Sequence, residues 1–189
     1  MAEHGDTVIL RNELAYIDCL PVKFVVSTVP PDTALRANMA EHNMRLLLAS
    51  TALEEHGQID KSDESSTHSA DLMRMEQKVN LLLDVMGYLL AASQSRPEPS
   101  PIRLNALCAV WEAGAATPVA GSVGTLMIYL RECLVQPLQL PAKVTEVLDG
   151  QTQLEFMYMP DSIAVHLEKL VFRRHRRQIA GARHARRAS

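Results

Sequence analysis

The spacing of apolar residues divides the chain into an extended segment, two helices and a second extended region. Residues 7–29 are rich in β-branched side chains and are predicted to be extended, with Pro21 suited to a strand start or edge. Residues 33–55 are predicted to form a helix that Asp32 or Thr33 would cap. Its apolar positions recur at intervals of four and three, with one polar member: Leu35, Met39, His42, Leu46, Ala49 and Leu53.

A second helix, predicted over residues 69–92, has the stronger heptad pattern. Its a and d positions are apolar over three heptads: Leu72, Met75, Val79, Leu82, Met86 and Leu89. Further Leu and Val residues make the apolar face wider than a two-stranded coiled coil requires. One part of this face could meet the first helix, and the rest would need partner chains. We therefore predict that these six residues mediate homo-oligomerisation, with a tetramer favoured; a helical hairpin within a monomer core is the alternative.

The apolar period changes after residues 93–101, a linker with three prolines. Strands are predicted over residues 102–111, 125–130, 138–147 and 153–159, with Asp149 and Gly150 forming a hairpin turn. A last helix follows Pro160, and the chain from Gly181 onward is expected to fray. Its buried stripe is predicted to contain Ile163, Leu167, Leu170, Val171 and Ile179. The predicted class is therefore α+β, a small antiparallel β-barrel with added helices.

This pattern implies a barrel that is discontinuous in sequence. Residues 1–32 would supply its first strand or strands, and residues 33–96 would form the inserted, oligomerising helical hairpin and linker. Residues 97–160 would complete the barrel, and residues 161–189 would form the C-terminal helix with a basic tail. Because the two ends of the insertion enter one barrel, they should lie close together, which suits a helical hairpin.

Charge and cysteine content bear on location and partners. The net charge is −3, yet residues 161–189 carry +6, so the first 160 residues carry −9. The basic end could contact phosphates, or serve as a docking surface for an acidic partner or a solvated helix end; we do not expect nucleic-acid binding. A membrane span is not expected because every apolar run is shorter than about 18 residues. Three cysteines without CxxC spacing and a polar N-terminus predict a cytoplasmic protein.

The motifs of common enzymes are missing from the sequence. It contains no HExxH, P-loop, GxGxxG or GxSxG pattern. His42 lies among apolar positions and is interpreted as a packed or register-setting histidine rather than a metal ligand. We therefore predict a non-catalytic protein without a cofactor or metal.

The order of elements resembles the PilZ family. The segments that carry the likeness are LPVKFVV at 20–26, IRLNALCAVW at 102–111, the hairpin of 137–147 and 154–159, and the helix MPDSIAVHLEKLVFRRHRR at 159–177. The heptad insertion resembles an atypical, self-associating subset of that family. The resemblance implies a cyclic di-GMP signalling context and an unknown protein partner.

The family's ligand signature is degenerate in this chain. An RxxxR stretch should precede the first strand, but residues 12–21 contain no arginine and Arg11 is the one nearby. The [DN]xSxxG stretch aligns with Arg103, Asn105 and Cys108. Because arginine forks bind phosphates bidentately, we expect weak or absent cyclic di-GMP binding at the usual site. The alternative is a genuine cyclic di-GMP receptor that uses non-standard residues.

Overall fold

A computed structural model describes residues 8–55, 67–92, 96–114 and 117–188. The elements are β1 (Val8–Leu10), β2 (Glu13–Val26), α1 (Thr33–Glu55), α2 (Thr67–Ala92), β3 (Pro99–Leu104), β4 (Cys108–Glu112), β5 (Val123–Ile128), β6 (Leu138–Leu148), β7 (Gln151–Phe156) and α3 (Asp161–Ala188). The polar loop predicted after α1 and the start of the proline linker lie outside the described residues.

The described strands close into an antiparallel barrel in the order β2-β3-β4-β7-β6-β5. Strand β2 is long enough to pair with both β3 and β5, which closes the barrel. Its residues 16–21 pair with β3, and Val22 to Val26 pair with Ile128 to Gly124 of β5. The prediction that the first segment joins strands beyond residue 100 is therefore confirmed, and so is the α+β class with a barrel interrupted by helices.

The barrel interior is filled by alternating apolar side chains, and α3 lies against it. Leu138, Leu140, Ala142 and Val144 of β6 point inwards and are fully buried, as period-two patterning requires. Four of the five residues predicted for the buried stripe of α3 are buried in this core: Ile163, Leu167, Leu170 and Val171. The fifth, Ile179, is half-buried and lies outside the core. Helix α3 continues through Gly181 to Ala188, so the expected fraying of its end is not seen in this region.

Two tight turns use residues with positive φ. The predicted Asp149-Gly150 turn is confirmed, with φ values of 50° and 78° that fit a primed hairpin turn. Arg11 and Asn12 adopt φ values of 50° and 64° and split the segment predicted as extended into the β1–β2 hairpin. Asn at such a position is a recognisable turn signal, because its short polar side chain tolerates the left-handed region.

The single strand predicted over residues 102–111 is wrong. The chain instead forms the β3–β4 hairpin, and Asn105 is the reason. Its Oδ1 accepts hydrogen bonds from the backbone N–H groups of Leu107 and Cys108, both at 2.8 Å. This local side-chain bonding stabilises a turn in place of an extended ladder. The predicted linker also ends earlier, since Pro99 already begins β3.

Helix α1 buries a different face from the predicted one. Asp32 caps it, accepting from the N–H of Leu35 at 2.7 Å. Its buried stripe is Met39, Asn43, Leu47, Ser50 and Glu54, of which the prediction included Met39 alone. The Asn43 amide donates to the carbonyl of Gln139 at 2.6 Å and accepts from its N–H at 2.8 Å. Polar side chains thus dock α1 on β6. The spacing of apolar residues cannot predict this buried face, because the residues that form it are partly polar.

Candidate functional site

The a and d positions of α2 form a solvent-exposed apolar face. All six predicted assembly residues are between 50% and 69% exposed: Leu72, Met75, Val79, Leu82, Met86 and Leu89. Leu81, Leu83, Val85, Tyr88 and Leu90 extend the apolar surface around the helix. Within the described part of the chain, α2 does not pack extensively on α1. Helix α1 packs on α3 and β6 instead. The suggestion that α1 covers part of this face within one chain is therefore wrong.

The C-terminal end of α2 is fixed to the loop between β5 and β6. Gly87 lies so close to this loop that a Cβ atom built on it would be 2.4 Å from Cα of Cys133. Just after α2, the guanidinium of Arg96 donates to the carbonyls of Glu132 at 3.2 Å and Leu134 at 3.1 Å. The same guanidinium stacks over the ring of Tyr129, 5.0 Å from its centre. The exposed apolar face is thus presented by a helix with a defined attachment to the barrel.

The three degenerate signature residues do not form one site. Arg103 is half-buried and donates to Oε1 of Gln151 at 2.7 Å. Asn105 is buried, and its Nδ2 donates to the carbonyl of Leu10 at 2.8 Å in addition to the turn contacts. Cys108 is buried, and burial raises the pKa of its thiol. Asn105 and Cys108 therefore serve the hairpin, while Arg103 stands apart from them.

The position of Asn105 at the β3–β4 turn suggests a second register for the signature. If Asn105 takes the first position of [DN]xSxxG, Leu107 replaces the serine and Val110 replaces the glycine. A cleft of about 380 Å³ lies beside this turn. Its walls come from the start of β2, the turn and α3: Glu13, Leu14, Asn105, Ala106, Leu107, Glu168, Lys169, Val171 and Phe172. The lining contains two carboxylates and a single lysine, so it lacks the cationic fork that a cyclic dinucleotide needs.

The arginines of α3 closest to the barrel are occupied within the protein. Arg174 Nε lies 3.1 Å from Oε1 of Glu54, and its NH1 lies 3.3 Å from Oδ2 of Asp18. NH1 also donates to the hydroxyl of Tyr16 at 3.2 Å. Arg177 donates to the carbonyl of Glu54 at 2.8 Å. These guanidiniums hold α1 and β2 together and do not point at an open ligand site.

Burial and the neighbouring charged groups oppose each other in setting the pKa values of this network. Burial raises the pKa of Tyr16 to about 12, although the neighbouring Arg174 opposes the shift. Burial lowers the pKa of Arg174, but the oxygens of Tyr16, Glu54 and Asp18 outweigh it and leave the pKa above its ordinary value. At neutral pH the network therefore contains a charged Arg174 and a protonated Tyr16. Sequence reasoning missed Glu54 and Arg174 as partners, because they are 120 residues apart and belong to helices with unrelated patterns.

Comparison with known proteins identifies the family. The family model described as "Atypical PilZ domain, cyclic di-GMP receptor" matches residues 47–184. The chain belongs to this atypical PilZ family. The predicted resemblance to the PilZ family is therefore confirmed.

A solved PilZ structure shares its architecture with most of this chain. It is a pathogenic protein from Xanthomonas campestris, whose crystal structure reveals a tetrameric PilZ domain self-assembled via an unusual helical bundle. The two chains are 26% identical with a TM-score of 0.68, and the match covers 90% of this chain and 93% of that one. No curated protein matches the chain significantly. The PilZ fold with added helices is thus shared along nearly the full length of both proteins.

Two further properties concern the described residues. None of the helices there is both long and apolar enough to cross a membrane. Among the same residues, no group of three or more His, Cys, Asp and Glu side chains could hold a metal ion. His42 instead approaches the carbonyl of Pro137 through Nε2 at 2.9 Å, so in this PilZ protein it docks α1 on the segment before β6.

Proposed function

We propose that this PilZ protein is a non-catalytic, self-assembling signalling module that acts through a protein partner. Its barrels would be displayed around a bundle of α2 helices, with a tetramer as the favoured assembly. The observation that carries this proposal is the exposed apolar face of α2, whose six heptad residues find no cover within the described chain. Soluble monomers rarely leave contiguous apolar patches of this extent uncovered.

The width of the face supports more than two strands. Mixed Leu, Val and Met at the a and d positions depart from the Ile-at-a, Leu-at-d pattern of two-stranded coiled coils. The Xanthomonas campestris protein, which this chain resembles over 90% of its length, is a tetramer. This likeness supports an assembly of four chains. We infer that a helical bundle of four α2 helices buries this face.

Light scattering tests the assembly. The wild-type mass should be about four times the 20.9 kDa of one chain. Leu82→Glu combined with Met86→Glu should give a monomer, because burying two carboxylates in an apolar seam is strongly unfavourable. Val119→Glu is the matched control, since Val119 is 77% exposed on the barrel side of the chain and outside the face. A wild-type mass of one chain would refute the proposal.

The second part of the proposal is that cyclic di-GMP binds weakly or not at all at the family's usual site. Residues 12–21 offer Glu13 and Asp18 instead of arginines. The exposed Glu13 would repel phosphates, and Asp18 is ion-paired with Arg174. Asn105 already uses its amide oxygen in the β3–β4 turn and its amide N–H on the carbonyl of Leu10. Isothermal titration with cyclic di-GMP in moderate salt should therefore show no saturable binding at ligand concentrations in the tens of micromolar.

The alternative, a genuine receptor with non-standard residues, has one specific observation in its favour. The matching family model is described as a cyclic di-GMP receptor. Arg103 would be the cation to carry such binding, because it lines an open cleft of about 260 Å³ with Ile17, Val110 and Glu112. A dissociation constant near or below about 1 μM that Arg103→Ala abolishes would establish the receptor function instead.

A further inference from the structure

A short segment between β5 and β6, residues 129–134, is held from two sides of the molecule. It is named the coupling loop below. On one side it contacts α2 and the chain that follows this helix. On the other side it contacts the buried network of Arg174 and Glu54, which joins α1, α3 and β2. All residues of the loop are described and lie outside the strands, so these contacts fix its shape.

Strand β2 and helix α3 hold the start of the coupling loop. The backbone N–H of Tyr129 donates to the carbonyl of Pro21 in β2 at 3.1 Å. The carbonyl of Leu130 accepts from the guanidinium of Arg174, also at 3.1 Å, and the Leu130 side chain is buried in the core. Because a hydrogen bond from a charged donor is stronger than one between neutral groups, the position of Leu130 depends on that of Arg174.

Helix α1 holds the turn that follows in the coupling loop. The guanidinium of Arg131 lies 3.6 Å from Oε1 of Glu54, and the same oxygen is bound by Arg174 at 3.1 Å. The backbone carbonyl of Arg131 accepts from the N–H of Leu134 at 3.3 Å and closes the turn. A displacement of Glu54 or Arg174 would therefore displace this turn as well.

The far side of the same turn holds α2. The carbonyls of Glu132 and Leu134 accept hydrogen bonds from Arg96, which lies four residues after the end of α2. Within α2, Gly87 is the buried position among those whose burial the structure describes, and it lies against Cys133. Both attachments of α2 to the barrel therefore end on the coupling loop.

This attachment leaves the assembly face of α2 open. Gly87 follows Met86, an a position, and so takes position b of the heptad, on the side of the helix away from the a and d positions. The a and d residues are exposed. One helix can thus be held by its own barrel and pack into a bundle at the same time. The coupling loop then sets the direction in which α2 leaves the barrel, and four helices meet only when every chain presents α2 in a compatible direction.

We propose that the coupling loop makes self-assembly depend on the Arg174 network, because the network shapes the loop and the loop orients α2 for the bundle. This inference rests on the proposed function, since it requires α2 to be the helix that assembles. A helix already held in its direction loses less conformational freedom on assembly than one that swings on its attachment. Linkage is reciprocal, so assembly stabilises the network by the same free energy by which the network favours assembly.

Sedimentation velocity over a series of protein concentrations tests the coupling. Arg96→Ala should raise the concentration at which the assembly half dissociates by about tenfold or more, as expected for the loss of a charge-assisted hydrogen bond. Arg131→Ala should raise it by about threefold or more, although Arg131 contacts Glu54 and not α2. The Arg131→Ala chain should fold, because Glu54 keeps its contacts with Arg174 and Arg177.

Two control variants separate coupling from a general loss of stability. Arg45→Ala removes an exposed arginine of α1 that pairs with Glu41, outside the network, and should leave dissociation unchanged. Val144→Ala opens a cavity in the core of β6 and should lower the midpoint of thermal unfolding without changing dissociation. If Val144→Ala weakens the assembly as much as Arg131→Ala does, the effect is one of general stability and the proposal is overturned.

Hydrogen exchange tests the reciprocal direction. The amide of Leu134 closes the turn of the coupling loop, and the amide of Ser122, which donates to the carbonyl of Val119, is a matched turn amide elsewhere. In the Leu82→Glu/Met86→Glu monomer the Leu134 amide should exchange about threefold faster or more than in the wild-type assembly. The Ser122 amide should exchange at the same rate in both. Equal exchange of the Leu134 amide in monomer and assembly would overturn the proposal.

Failure of this proposal can be told apart from failure of the assembly. A wild-type mass of one chain by light scattering would refute self-assembly and the coupling together. An assembled wild type whose dissociation Arg131→Ala leaves unchanged would overturn the coupling and leave the assembly in place.

Discussion

Arg174 donates from Nε to Oε1 of Glu54 across 3.1 Å and so ties the barrel-side face of α3 to the last turns of α1. The side chain of Glu54 is 1% exposed, and Arg131 and Arg177 also lie within 3.6 Å of its carboxylate. Arg174 further donates to the carbonyl of Leu130 at 3.1 Å. The first helix of the insertion is therefore integrated into the barrel unit, and α2 remains the helix available to partner chains.

Loss of Glu54 should destabilise the fold strongly. Glu54→Ala would leave the buried guanidinium of Arg174 without its main counter-charge, and breaking such a pair typically costs about 3–5 kcal/mol. Glu41→Ala is the matched control on the same helix, because the Glu41–Arg45 pair is exposed and should contribute less than about 1 kcal/mol. Urea unfolding at equal protein concentration measures both. Equal free energies of unfolding for the two variants would contradict the importance of the network.

Alanine should have opposite effects at two helical glycines. Gly181→Ala meets no atom within 4 Å and should stabilise α3 by roughly 0.5–1 kcal/mol through the lower backbone entropy of the unfolded chain. Gly87→Ala would place Cβ 2.4 Å from Cα of Cys133 and should destabilise the chain, since overpacking costs about 1–3 kcal/mol. Thermal unfolding compares the two variants. Stabilisation by Gly87→Ala would show that α2 does not approach the β5–β6 loop this closely.

The hairpin that replaces the family's signature should depend on Asn105. Asn105→Ala removes three hydrogen bonds and leaves the N–H groups of Leu107 and Cys108 without this acceptor. At about 0.5–1.5 kcal/mol for each bond, a loss of roughly 1.5–4.5 kcal/mol is expected. Asn38→Ala, on the exposed side of α1, should change stability by less than about 0.5 kcal/mol. Chemical denaturation measures the free energy of unfolding of both variants. An Asn105→Ala variant as stable as the wild type would refute the structural role of Asn105.

Tyr16 should make stability fall at high pH. Its pKa is about 12 in the folded chain and about 10 when unfolded. A raised pKa means that the unfolded state releases the proton first, so the contribution of Tyr16 is fully present below about pH 10 and is lost as the pH rises towards 12. Tyr16→Phe should remove this part of the decline. Tyrosinate absorbance during a pH titration provides the direct check. One tyrosine of the native chain should ionise at a higher pH than it does in urea.

Local patterns in the sequence account for the three helices, for most of the strands and for the apolar face of α2. The heptad of α2 depends on residues three and four apart, so it predicts the exposed apolar face without knowledge of the rest of the chain. The Asp149-Gly150 turn follows in the same way from the backbone freedom of two adjacent residues. The absence of arginine from residues 12–21 is likewise visible in the sequence alone and already disfavours the usual ligand site.

The tertiary structure decided which polar residues are buried. Met39, Asn43 and Glu54 share one face of α1, yet two of the three are polar, and their burial depends on Gln139 and Arg174, which lie far away in sequence. Apolar periodicity therefore predicts the neighbouring, half-exposed face of α1. A buried polar group is stable only when a hydrogen-bond partner meets it, and the positions of such partners follow from the closed barrel rather than from any local pattern.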